Sequence, residues 1–125
     1  FWNYQLNTTI KSFYKRYLYP KNYYLGLLKI SNYCKKNNIR LVFFIPPTYI
    51  GLQQKVGEYN LVKAQQKFKT DLNRIGKVYD FDVPSVLTKN KADFKDPFHV
   101  KHQFINQIFK EILSKENQLK PKENN

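Results

Sequence analysis

The run IRLVFFIPP constrains the fold of this chain more than any other stretch. From Ile39 to Ile45 it is continuously apolar, of strand length, and rich in β-branched and aromatic side chains, which suits a strand buried on both faces. Pro46 and Pro47 follow, and because neither has an N–H to give to a ladder, the strand ends there. Residues 52 to 75 then place Leu52, Val56, Tyr59, Leu61, Val62, Phe68, Leu72 and Ile75 mostly on one helical stripe, predicting a single long helix closed by Gly76 as its cap. KVYDFDV reads as a second short strand. Strand, helix and strand make a βαβ unit, whose strands lie parallel and whose crossover is right-handed. The fold class read from these residues is α/β.

The flanks add helices. FWNYQLNTTIKSFYKRYLYP mixes aromatics with lysines and stops at Pro20, predicting a loop that leads into a short helix. From Asn22, the recurrence of Leu25, Leu28, Ile30, Tyr33 and Cys34 predicts an amphipathic helix ending near Asn37. Residues 84 to 97, with Pro84, Asn90 and Pro97, read as a loop. The segment from Pro97 to Ser114 reads as a last helix, with Phe98, His102, Ile105, Ile108, Phe109, Ile112 and Leu113 on its apolar face. The closing KENQLKPKENN is polar enough to stay disordered. The expected organisation is an aromatic and basic lead-in over 1–21, an α/β part over 22–115 and a polar tail over 116–125. At 125 residues the chain suits one compact domain. It contains no methionine, so a segment before Phe1 is expected.

Charge is strongly one-sided. Twenty-two lysines and arginines against nine acids give a net charge of +13, and residues 1 to 57 contain nine basic residues and no acidic one. Asp80, Asp82, Asp93 and Asp96 gather instead in the second half. A field of this sign attracts polyanions, among them nucleic acid, teichoic acid, acidic polysaccharide and anionic lipid surfaces, although a lysine-rich surface also serves solubility alone. No nucleic-acid motif is present, and the aromatics fall largely at positions expected to face the core, so nucleic acid is the less favoured partner. No run reaches the roughly 18 apolar residues of a membrane-spanning helix, and the N-terminus lacks a signal-peptide pattern. Cys34 is the only cysteine and is expected to fill core space.

FKDPFHV carries the chemistry. A histidine acting as general base in acyl transfer needs a carboxylate on the far side of its ring to fix the tautomer and stabilise the imidazolium. Asp96 and His99 are three residues apart, and Pro97 holds Asp96 extended, so a tight turn brings them together. The same residues also suit a helix start, with Asp96 as N-cap and Pro97 in the first turn. The two roles are compatible, since a histidine in the first turn of a helix is kept neutral by the macrodipole. The segment leaves a predicted strand at its C-terminal end, where α/β sheets collect their chemistry. His102, one turn further on, is expected in a core or bridging role. Neither the two histidines nor the four aspartates make a convincing ligand set, so no metal and no cofactor is expected.

LVFFIPPTY, KVYDF and DPFH, in that order over residues 39 to 113, resemble the SGNH (GDSL-type) hydrolases, and among them the D-alanyl transfer proteins of teichoic-acid modification. That resemblance implies a three-layer α/β/α, flavodoxin-like parallel sheet, of which this chain would be the C-terminal part. It implies that Asp96 and His99 are two members of a Ser-His-Asp triad, acting in a serine esterase or O-acyltransferase on an acylated cell-envelope polymer. Extracytoplasmic or membrane-associated work beside other acyl-transfer proteins goes with it. Ser12, Ser31, Ser85 and Ser114 lack the family's nucleophile setting, so the serine and oxyanion hole are expected before Phe1, leaving this chain inactive alone. The alternative is a basic module without catalysis that binds an anionic polymer.

Overall fold

The computed structural model describes residues 1–119. It is a mixed helix and strand fold built around one parallel strand pair. The N-terminal helix consists of α1 (Trp2–Tyr4), a π turn (Gln5–Thr9) and α2 (Ile10–Lys15), where a loop was expected to come first. It forms because its inner side packs on the rest of the chain: Ile10 is wholly buried, and Trp2 meets the Tyr49 ring edge-on with centroids 5.2 Å apart.

Helix α3 (Lys21–Lys36) agrees with the expected span, but with the expected stripe only at Leu28 and Cys34. Leu25, Ile30 and Tyr33 are exposed, while the covered line runs through Tyr24, Leu27 and Leu28, Ser31 and Cys34. Ser31 takes an inner position because its hydroxyl donates to the Ile75 carbonyl. Cys34 is a small buried core residue, as expected. The helix ends at Asn38, whose φ of 54° is left-handed, with Asn38 N–H donating to Lys35 O and Ile39 N–H to Cys34 O. This is a Schellman closure with asparagine in glycine's usual place.

Strand β1 (Val42–Ile45) pairs in parallel with β2 (Lys77–Asp80), Val42 opposite Lys77 and Ile45 opposite Asp80. The βαβ expectation is met in its parallel pairing. Full burial is not: all four β1 residues are only half covered, because among the described residues the strand has one neighbour. Between the strands the expected single helix is two, α4 (Ile50–Glu58) and α5 (Val62–Ile75). A second left-handed asparagine, Asn60 with φ 57°, closes α4 through Leu61 N–H to Val56 O and breaks a stripe that the apolar spacing alone reads as continuous. Gly76 follows α5 in extended conformation and is not a left-handed cap. A side chain there would collide with Phe43, its Cβ lying 2.6 Å from Cε2.

After β2 the expected loop contains α6 (Val86–Lys89), a 3-10 turn (Lys91–Asp93) and strand β3 (Phe94–Asp96). A hairpin turn leads to β4 (His99–Val100), and α7 (His102–Gln118) starts five residues later than expected from Pro97. Asp96 is therefore not its cap, and His99 lies outside any helix. Helix α7 lays Ile108 and Ile112 into the core and Phe109 against Phe44, with centroids 5.2 Å apart. It runs through residues 116–118 of the expected tail to Gln118, where Glu116 binds Arg40 and receives a 2.7 Å hydrogen bond from the Tyr79 hydroxyl. Residues 120–125 of the tail lie outside the described residues.

The buried hydrophobic core is aliphatic apart from Cys34 and Phe94. Phe1, Tyr4, Phe13, Tyr17, Tyr23, Tyr33, Phe68 and Phe109 are exposed, so the expectation that the aromatics largely face the core is met only by the others, which are half-buried or buried. A strand pair this short cannot cover so many large rings.

Candidate active site

Both strands end at one edge, and the segments that leave them are tied together there. Past β1, the Thr48 backbone N–H donates to Asp82 Oδ1 at 3.0 Å and the Thr48 hydroxyl to the same oxygen at 2.5 Å. At the end of β2, Asp80 Oδ1 accepts from Asp82 N–H at 2.9 Å. Asp80 Oδ2 pairs with Lys69 Nζ at 2.7 Å, and that ammonium also donates to the Asp82 carbonyl at 3.0 Å. Two strand ends and helix α5 are thus fixed by one polar cluster with each of these groups partnered. The N-terminal helix reaches the loop that leaves β1 through Trp2 against Tyr49, and burial, and then the Asp82 carboxylate, push the Tyr14 phenol of the same helix above its ordinary value.

The hairpin of β3 and β4 docks beside this cluster. Pro97 is fully buried, and its carbonyl accepts from Tyr49 N–H at 3.0 Å, in the loop that leaves β1. Tyr49 stacks edge-on between Trp2 and Phe94. At the turn, Asp96 Oδ1 accepts from the backbone N–H groups of Phe98, at 2.8 Å, and His99, at 3.0 Å. Aspartate at the first turn position with proline at the second is the composition such turns prefer. A carboxylate anchored by two amides is held in one orientation.

That orientation aims it at His99. Nδ1 lies 2.9 Å from Asp96 Oδ1 and 2.8 Å from Oδ2. The acceptor pair fixes Nδ1 as the ring's donor and leaves Nε2 with its lone pair. The His99 side chain is 72% exposed while that of Asp96 is 19% exposed, so the ring lies largely in solvent and its carboxylate partner is the sheltered one. The two sequence-predicted residues are brought together, at the edge where the strands end, but by a hairpin turn in place of a helix start.

The remaining candidates separate. His102, expected in a core or bridging role, is not in the core: it is exposed at the start of α7 beside Asn106. Ser31 is buried on the Ile75 carbonyl, Ser85 caps α6 through Thr88, and Ser12 and Ser114 are exposed on helices. None of these serines is hydrogen-bonded to His99 among the described residues. There is likewise no group of three metal-ligating side chains among them. No helix among the described residues is long and apolar enough to cross a membrane. Sequence reasoning missed Thr48, Lys69 and the pairing of Asp80 with Asp82; the signal was the position of the two aspartates directly after a strand.

No protein-family model matches the chain, and no curated protein or solved structure matches it either.

Proposed function

We propose that the chain supplies the acid and base of an SGNH-type serine esterase or O-acyltransferase, acting on an acylated cell-envelope polymer outside the cytoplasm. The observation that carries the reading is the His99 ring held through Nδ1 by both oxygens of Asp96 while the side chain as a whole is largely exposed. In this reading Nε2 takes the proton of a serine hydroxyl as its oxygen attacks an ester carbonyl, and Asp96 stabilises the imidazolium formed. The same proton goes to the departing alcohol, and an acyl-serine is left. Water or a polymer hydroxyl then gives its proton to Nε2 and takes the acyl group, and Nε2 returns that proton to the serine oxygen as the acyl–serine bond breaks. The nucleophile and oxyanion hole are assigned to a segment before Phe1. That segment would also complete the three-layer, flavodoxin-like sheet, of which β1 and β2 are two strands.

A longer protein that includes the upstream segment should be labelled by a fluorophosphonate, and its His99→Ala variant should lose turnover of an activated ester. Undiminished turnover in that variant removes His99 from the mechanism. The second reading, a basic module that binds an anionic polymer without catalysis, is favoured by the acid-free stretch over residues 1 to 57. It requires polymer affinity that falls steeply with salt and does not change in the His99→Ala variant.

A further inference from the structure

The corner where the N-terminal helix gives way to α3 combines two kinds of surface. Phe13, Tyr17, Leu18 and Tyr23 are 62%, 37%, 85% and 80% exposed, all within a short length of chain. Lys11, Lys15, Arg16 and Lys21 are interleaved with them and also exposed. Asp71, which accepts a hydrogen bond from the Tyr19 hydroxyl at this corner, is buried and already holds Lys67 at 2.7 Å and Arg74 at 3.3 Å. Its carboxylate therefore does not offset the corner's charge. The apolar surface continues inward from Tyr17 and Pro20 into a groove of about 290 Å³ lined by Val56, Leu61 and Phe68.

We infer that this corner is a docking surface for an anionic lipid bilayer. Large apolar side chains left in water are unfavourable, and those on an exposed corner gain by entering the headgroup and acyl boundary. Lysine and arginine stems lie along that boundary with their charges among the lipid phosphates. Either component alone is weak, and their combination distinguishes this corner from a surface that is merely basic. An acidic polymer would use the cations but would leave Leu18 and Tyr23 without a role. The inference rests on this surface and is independent of the part assigned to His99.

The test is co-sedimentation of the 125-residue chain with phosphatidylcholine vesicles, with and without phosphatidylglycerol. Binding is expected only when phosphatidylglycerol is present. Leu18→Ser with Tyr23→Ser should weaken it by about tenfold for each side chain withdrawn. Lys15→Glu with Arg16→Glu should weaken it by at least about fivefold for each site. All four side chains are exposed, and unchanged circular dichroism checks that the variants fold. Equal binding to both vesicle types overturns the inference. So does a Leu18, Tyr23 double variant that binds within twofold of the parent, a result that would make the chain a binder of acidic polymers by charge alone.

Discussion

Replacing Asp96 and His99 one at a time separates the stability of the hairpin turn from its chemistry. Asp96→Ala deletes the acceptor of two backbone amides, at 2.8 and 3.0 Å. At about 0.5–1.5 kcal/mol for each hydrogen bond, the loss is about 2 kcal/mol. His99→Ala deletes only an interaction at the surface, since its side chain is 72% exposed. A pair of that kind contributes about 0–1 kcal/mol. Asp96→Asn divides the two effects, because its carbonyl oxygen still serves both amides while its NH₂ faces Nδ1–H, donor against donor. The ring keeps one acceptor, Oδ1 at 2.9 Å, and must shift toward it, turn away or move its proton to Nε2 to escape the NH₂. Urea unfolding should rank the losses as Asp96→Ala, then Asp96→Asn, then His99→Ala. Long-range proton–nitrogen spectra of the ring should show the Nδ1–H tautomer in the parent and a smaller share of it in Asp96→Asn. A His99→Ala variant as destabilised as Asp96→Ala, or an Nε2–H tautomer in the parent, would refute the reasoning, since the histidine would then be structural or wrongly oriented.

Three further outcomes test the scaffold. Ile10→Ala should cost about 2–5 kcal/mol in urea unfolding, because Ile10 is wholly buried and seats the N-terminal helix; a loss under about 1 kcal/mol, below the usual cost of such a deletion, would mean that the helix docks weakly. Gly76→Ala should cost about 1–3 kcal/mol, since its Cβ would stand 2.6 Å from Phe43 Cε2 and the ring must move. The Asp71 carboxyl is held below its ordinary value of 3.8 first by the Lys67 ammonium and then by the Tyr19 hydroxyl, so its contribution is present above that value and is lost as pH falls through the lower, folded one. The gap in urea midpoint between the parent and Asp71→Asn should therefore be steady near neutrality and close in acid, and a gap that widens in acid contradicts the assignment.

The parts legible in the sequence are those whose cause is local. Ile39 to Ile45 and the proline pair announce a strand and its end without help from anything distant, and the spacing of Asp96 and His99 fixes that they can meet. The errors arise where one local pattern serves two structures. Asp-Pro-Phe-His fits a helix start and a hairpin turn equally well. The turn prevails through Pro97, whose ring is buried and whose carbonyl binds Tyr49 N–H, a partner that sequence spacing does not reveal. Likewise the apolar stripe over residues 52 to 75 runs on past Asn60, where a left-handed backbone divides the helix.

This difference bears on what the hairpin is for. A helix start at Asp96 would have left its carboxylate occupied with the backbone and the imidazole on a first turn, with no necessary relation between them. In the hairpin, one oxygen of Asp96 serves both backbone amides while the carboxylate still faces Nδ1 with two oxygens. Folding alone requires only the first of these. The second contributes little stability at so exposed a ring, yet it sets the tautomer and direction of Nε2, which is the arrangement a proton acceptor needs. An interaction that does little for the fold but defines the chemistry of one exposed nitrogen is the strongest reason to look for a substrate at this edge of the sheet.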